Sequence, residues 1–359
     1  MAARSPPPPT STWRCAARKR ANSSASCRGT FLRFIVVGAG AVGSAIGGCL
    51  AKAGHDVTLV GRGAHFHAIG HGGLTVHGLG TSFTVRVKTT QAAGDMELPD
   101  AVLVAVKAHD LASIAQPLGT LAKRGATIVT MQNGVPFWFF ENFGGRLAGR
   151  HLQSVDPEGN IAKAIDISAI VCCVVSAGAR IPQPGMVERM GNAAYALGEP
   201  TGEPTERLEQ LRAALASAGL EVTTDSDIRA AVWHKLIGNV AVNPVSTLAR
   251  ATAAQMADDP GIADLLREIM REQIAVGRAL GFSRADDVEA RIQRTRTYGD
   301  QHTSMLQDFE AGRPLELDPI VGAAVEIAGM LGVPVPVTRH VYALTKVLAR
   351  GMAAQRREG

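Results

Sequence analysis

Phe34-Ile35-Val36-Val37-Gly38-Ala39-Gly40-Ala41-Val42-Gly43 is the stretch that decides the fold of this chain. A β-branched apolar run passes into a glycine-rich turn and then into a helix-forming stretch, Ala41 to Ala53, which Gly54 ends. The three glycines have separate tasks: the first makes the tight strand-to-helix turn, the second lets backbone approach a pyrophosphate, and the third lets helix and strand pack closely. Free N–H groups at the helix start would then hold the phosphates, so Gly38, Ala39, Gly40, Ala41, Val42 and Gly43 are candidate cofactor residues. The next strand, His55 to Val60, runs into Gly61-Arg62. An acid at that point grips the ribose 2′-hydroxyl of NAD, whereas a guanidinium suits the 2′-phosphate of NADP. Arg62 as an ordinary solvated charge is the competing reading.

Downstream the same grammar continues. Phe83 to Val87 and the continuous apolar run Asp100 to Val106 predict strands, Leu111 to Leu121 a helix, and Ala126 to Met131 another strand. Further strands are predicted at Ile170 to Ser176, Gly185 to Met190 and Ala194 to Leu197, with a helix from Thr205 to Ala218. This is α/β alternation, a Rossmann-type doubly wound parallel sheet. From Asp227 the pattern turns helical: Asp258-Asp259-Pro260 is a cap followed by proline at the first helical position, and Ile262, Leu265, Leu266, Ile269 and Ile274 carry the helix period. A boundary near residue 226 therefore divides residues 33–226, an NADP-binding domain, from an all-helical C-terminal domain, 227–355.

Charge and cysteine usage narrow the function classes. The net charge is +5, yet seven of the 37 Lys and Arg fall within residues 1–33 with no acid among them. The remaining chain carries 30 basic against 32 acidic side chains, which argues against a nucleic-acid partner. Residues 1–32 are Pro-, Ser- and Arg-rich without an apolar period and predict a disordered basic extension. It lacks the apolar core of a secretory signal; it resembles an organellar transit segment, or else an extension upstream of a start at Leu32. Five cysteines, Cys15, Cys27, Cys49, Cys172 and Cys173, form no CxxC pair, pointing to a reducing compartment such as the cytoplasm. Cys172-Cys173, in a strand-like run, read as small buried hydrophobes. His65, His67, His71 and His77 sit in a Gly-rich connection without metal-ligand spacing, no metal site is expected, and no apolar run is suited to span a membrane.

Candidate chemistry gathers at two places. Ligands of an open parallel sheet bind beyond the carboxyl ends of its strands, where Lys107 and Asn133 of Gln132-Asn133-Gly134 stand. The sharper signal is the stretch from Asp227 to Pro244. On a helix, Lys235, Asn239 and Asn243 form one polar stripe amid Val232, Trp233, Leu236, Ile237, Val240, Ala241 and Val242. A helix apolar on nearly every side is buried, so the stripe is expected to face a polar cavity or ligand. A half-buried Lys has a depressed pKa and can give a proton near neutral pH. Pro244 is expected to end or bend the helix. Further on, Ser304-Met305-Leu306-Gln307-Asp308 leads to Glu316, then to Asp318 as a helix cap with Pro319 behind it.

Together these motifs resemble, in order and approximate spacing from Phe34 to Ala349, the ketopantoate reductase (2-dehydropantoate 2-reductase) family. The resemblance implies NADPH-dependent reduction of 2-dehydropantoate to (R)-pantoate, in pantothenate biosynthesis. Lys235 would be the general acid, with Glu316 assisting by hydrogen bonding or proton supply. Ser304, Asn239 and Asn243 would hold the substrate, with Lys107, Asn133 and Glu316 near the nicotinamide. It also implies homodimerisation through the helical half. An alkoxide develops as a 2-oxo acid is reduced, so an ammonium aimed at that oxygen is what the transition state needs. The chain departs from the family at Arg250-Ala251-Thr252-Ala253-Ala254-Gln255, where members often carry another substrate-contacting Asn; Thr252 or Gln255 stands as a substitute. Another branched 2-oxo acid is therefore the alternative substrate, and a non-catalytic NADP-binding regulator the alternative class.

Overall fold

The computed structural model describes residues 31–91, 97–284 and 286–358. The expectations for residues 1–30, Cys15 and Cys27 among them, lie outside the described residues. The first part of the chain runs β1 (Arg33–Val37), α1 (Ala41–Lys52), β2 (Asp56–Val60), α2 (Gly63–Gly72), β3 (Leu74–Gly78), β4 (Thr81–Val85), β5 (Lys88–Thr90) and β6 (Ala101–Val104). It continues through α3 (Leu111–Lys123), β7 (Thr127–Thr130), α4 (Asn160–Ala164), β8 (Ile170–Gln183), β9 (Met186–Gly198), α5 (Glu206–Ser217) and β10 (Glu221–Thr224). All ten strands among the described residues join one sheet in the order β4-β3-β9-β8-β7-β6-β1-β2-β5, with β10 on β9.

From β5 to β8 every pairing is parallel. Strand alternation divides the core between the two faces. Ile35, Val37, Val102, Val104 and Ile128 pack on one side, and Phe34, Val36, Leu103 and Val129 on the other, as runs buried on both faces must. The chain leaves β1 for β2 on one side and later enters β6 on the other, so the crevice beyond β1 and β6 is the topological switch point.

Several local expectations are corrected. The histidine-bearing connection is α2 and β3: Phe66 and Ile69, three apart, bury one face of a helix there while His67 and His71 face solvent. The strand expected at 83–87 is β4 at 81–85, paired antiparallel to β3. The strands expected at 185–190 and 194–197 are one strand, β9, which forms a long antiparallel hairpin with β8 across a two-residue Pro184-Gly185 turn. Register shifts along that hairpin absorb its twist.

The rest is helical: α6 (Ile228–Ala249), α7 (Ala253–Asp258), α8 (Pro260–Ala279), α9 (Val288–Thr297), α10 (Ser304–Glu310), a π-helical turn (Asp318–Gly322), α11 (Ala323–Leu331) and α12 (Pro336–Glu358). Asp259 caps α8 by accepting from the Ile262 amide, with Pro260 at the first helical position. Pro244 does not end α6, which runs five residues further to Arg250 in the left-handed region. Proline removes one backbone hydrogen bond there, but Val240, Ala241, Pro244 itself, Val245 and Ser246 are buried, and that packing outweighs the loss. Asp318 is no cap either; it lies within the π-helical turn and accepts from the Tyr342 hydroxyl of α12. Trp233 locks α6 onto α8: it is 2% exposed, its Nε1 donates to the Gln273 carbonyl at 3.0 Å, and Gly277 makes room for the ring. Truncating such a side chain costs roughly 3–5 kcal/mol.

The helical half meets the sheet's carboxyl edge at the turn after β7. The Val135 amide donates to the Pro319 carbonyl at 2.9 Å, and Gly134 has φ +90° with space so tight that a Cβ would fall 2.4 Å from that same oxygen. Gly134→Ala combines left-handed strain with a backbone clash, so it is expected to lower stability by about 2 kcal/mol or more. Thermal unfolding checks this, with a surface Gly125→Ala change, at φ +104° but meeting nothing within 4 Å, as the strain-only reference.

Candidate functional site

At the switch point Gly38 has φ +108°, and a Cβ there would lie 2.7 Å from the Ala105 carbonyl carbon, so only glycine lets β1 turn against the end of β6. At Gly43 a Cβ would strike the Gly38 carbonyl oxygen at 2.1 Å. Gly40 differs: a Cβ there would meet nothing within 4 Å, which leaves an open cradle at the helix mouth. Gly40 caps α1 without a side-chain hydrogen bond, and no acid stands in the first turn. These residues fit a pyrophosphate held by helix N–H groups. Gly61 abuts the turn, since a Cβ there would sit 2.7 Å from the Ala39 side chain. That close approach brings exposed Arg62, which precedes α2, beside the cradle.

Beyond β6, Lys107 enters an ionic cluster with the helical half. Its Nζ donates to Asp308 Oδ2 at 2.7 Å and to Glu316 Oε2 at 3.1 Å. Glu316 Oε1 accepts from the Ala108 amide at 2.9 Å, and Asp308 Oδ1 from Arg313 Nε at 2.9 Å. Both carboxylates are buried, Asp308 at 3% and Glu316 at 5% exposure, so each needs the partners it has. Burial pulls the Lys107 pKa down, but the two carboxylates outweigh it and hold the ammonium above its ordinary value.

The second cation stands alone among amides. Lys235, on α6, donates to Asn133 Oδ1 at 2.6 Å, across from the carboxyl end of β7. Burial pushes its pKa down to about 8, opposed by the nearby groups of Cys173, Glu316 and Cys172. Lys235, Asn133, Asn239 and Gln132 form the polar side of an open cleft of about 380 Å³. Val174, Pro136, Val232 and Leu236 complete its lining together with Thr130 at the end of β7 and Cys172 and Cys173 near the start of β8. An ammonium with three protons, one committed to an amide oxygen, has two left for a ligand oxygen.

The arrangement thus brings together Lys235, Asn239 and Asn133 in the cleft, and Lys107 and Glu316 beside it. Asn243, one turn further along α6, is buried but does not line the cleft, and Ser304 is exposed at the start of α10. Thr252 and Gln255 bind each other as a reciprocal capping box on α7, which occupies both side chains. Several cleft residues went unrecognised from sequence as lining groups, among them Gln132, whose amide donates to the Val104 carbonyl at 2.8 Å, and Cys172 and Cys173. Their signal was position alone, at the carboxyl end of β7 and level with it on β8. Among the described residues no group of three or more His, Cys, Asp or Glu could hold a metal ion. No described helix is long and apolar enough to cross a membrane.

Residues 34–202 match the family model described as ketopantoate reductase PanE/ApbA, and residues 227–349 match its C-terminal companion. A curated 2-dehydropantoate 2-reductase of Mesorhizobium japonicum is 37% identical over 319 residues, 89% of this chain and 98% of that protein. The structure superimposes on a candidate ketopantoate reductase from Ralstonia solanacearum with a TM-score of 0.84 at 37% identity, covering 90% of this chain and 99% of that one. D-mandelate dehydrogenase, solved with NADH and anilino(oxo)acetate, shares the fold at a TM-score of 0.74 and 21% identity, over 89% of this chain and 99% of that one.

Removing the Lys107 charge leaves Glu316 buried with only an amide partner. Lys107→Met is expected to destabilise the protein by about 2 kcal/mol, less than the roughly 3–5 of a fully buried pair because Lys107 is partly solvated. Urea unfolding checks this, and Glu316→Gln in the same chain is expected to recover part of the loss.

Proposed function

The chain belongs to the ketopantoate reductase family, and from that premise we propose that it reduces 2-dehydropantoate to pantoate with NADPH, with Lys235 as the general acid. It is an oxidoreductase acting on a CH–OH group. The observation that carries the mechanism is Lys235: a cation drawn down to about 8, held by one amide oxygen, with its remaining protons facing a cleft at the sheet's carboxyl edge.

The Gly38–Gly43 turn and Arg62 would hold the dinucleotide, Arg62 at the 2′-phosphate. When bound, the dinucleotide supplies the hydride. Lys235 binds the substrate's 2-oxo oxygen and gives it a proton as charge develops there, and Asn133 fixes the direction of the ammonium. Asn239, one turn along α6, offers an amide to the neighbouring carboxylate. Glu316 is bound to Lys107 and to the Ala108 amide, so its support of Lys235 is the negative field it places nearby rather than a shared proton. Residues 33–226 are read as the dinucleotide-binding domain and 227–355 as the one completing the substrate site.

A general acid must be protonated to act, so reduction is expected to fall as pH rises through about 8, the value to which burial draws Lys235. Initial rates of NADPH oxidation at saturating 2-dehydropantoate across pH 6–10 measure this. Lys235→Met is expected to lower turnover by roughly 10²–10⁴-fold while NADPH still binds, as followed by nicotinamide fluorescence. Unchanged turnover in that variant removes Lys235 from the chemistry. Arg62→Ala is expected to weaken NADPH binding roughly tenfold or more and NADH binding little, a charge-assisted contact being lost from one ligand only.

A further inference from the structure

Two nucleophilic side chains at the cleft have no place in that chemistry. Cys172 and Cys173 stand near the start of β8, level with the carboxyl end of β7, and border the cleft together with Val174. Burial pushes the Cys172 thiol up to about 12 and Cys173 upward as well, so both are uncharged at neutral pH and behave as small apolar surface. Successive strand residues point to opposite faces, and the two thiols do so here: Cys172 packs in the cluster that contains α6, Cys173 in the one that contains Tyr195. That divergence separates them as a redox pair and leaves the Cys172 thiol, on the α6 side with the cleft, to contribute shape.

Their position cannot yield. Cys172 pairs with Thr130 of β7 on one side and Gly198 of β9 on the other, and Cys173 and Val174 pair with Leu197 and Ala196. Behind Cys172 the Thr130 hydroxyl is in hydrogen-bond reach of the thiol and accepts from Trp138 Nε1 at 3.2 Å, with Trp138 fully buried. A strand paired on both edges and backed by an indole is a rigid wall, so the volume of its side chains fixes the depth of the cleft. A 2-oxo acid has a polar end and one side chain. With its oxygens on Lys235 and Asn239, the side chain is left to the rest of the lining, to which Cys172, Val174 and Pro136 belong.

Resting on the function proposed above, we propose that Cys172 is a specificity-determining residue that confines the substrate's side chain to compact branched aliphatic groups and excludes aryl groups. Removing a sulfur atom deepens the cleft, and a difference of one heavy atom in an apolar site changes discrimination by roughly 10–200-fold.

The test compares wild type, Cys172→Ala, Cys173→Ala and Cys172→Val, with Cys49→Ala on α1 as a buried cysteine that does not line the cleft. The readouts are kcat/KM with NADPH for 2-dehydropantoate and phenylglyoxylate, and calorimetric binding of both acids to the NADP-loaded protein. Cys172→Ala is expected to raise the phenylglyoxylate to 2-dehydropantoate ratio about tenfold or more, and Cys173→Ala, on the opposite face of the sheet, to change it little. Cys172→Val is expected to lower it, and Cys49→Ala to leave it unchanged. A ratio that stays fixed in Cys172→Ala, or shifts equally in Cys173→Ala or Cys49→Ala, overturns the proposal. A wild type that binds the acids but reduces neither refutes the functional reading alone, because the binding ratios still decide the role of Cys172. A wild type that binds neither acid overturns both.

Discussion

An ammonium on a helix with three buried sides is the constraint around which this molecule is organised. Lys235 sits among Val232, Trp233, Leu236, Ile237 and Val240, which pack into the core. Leaving such a charge without a partner costs several kcal/mol. Asn133 supplies the partner from the other half of the chain, at the turn after β7, and that turn is itself clamped to the π-helical segment at Pro319. The position of the cleft therefore follows from satisfying one cation. The parts of the chain that supply the partner are those that must stay in register with it.

The two lysines of the site illustrate how surroundings set a group's task. Lys107 faces two buried carboxylates and is held above its ordinary value, which makes it a fixed positive charge joining sheet to helices. Lys235 faces an amide oxygen and uncharged thiols and is drawn down toward the pH at which a proton can be given away. Environments that push two like groups apart are the general means by which a site assigns structural and acid roles.

Local chemistry made much of this legible in the sequence. The Gly38–Gly43 turn, the caps of α5 and α8, and the continuous apolar strands each depend on neighbours within a few residues. The stripe on α6 was visible as helical spacing, and Lys235 and Asn239 do line one cleft. What escaped was set by distant partners. The β3–β9 pairing is parallel and joins strands more than a hundred residues apart, and Pro244 lies inside α6 because burial on both sides overrides its helix-breaking tendency. Asp318 reads as a cap until Tyr342, 24 residues on, takes its carboxylate. The Lys107–Glu316 contact spans 209 residues, and no spacing rule reaches that far.

The depressed basicity of Lys235 is the claim on which the rest turns, and it can be read directly. Titrating the Lys235 side chain by NMR, with lysine labelled at Cε and Nζ and assigned through Lys235→Met, is expected to give a midpoint near 8. A midpoint close to 10.5, the value of a solvated lysine, would contradict the burial that makes this residue the proton donor.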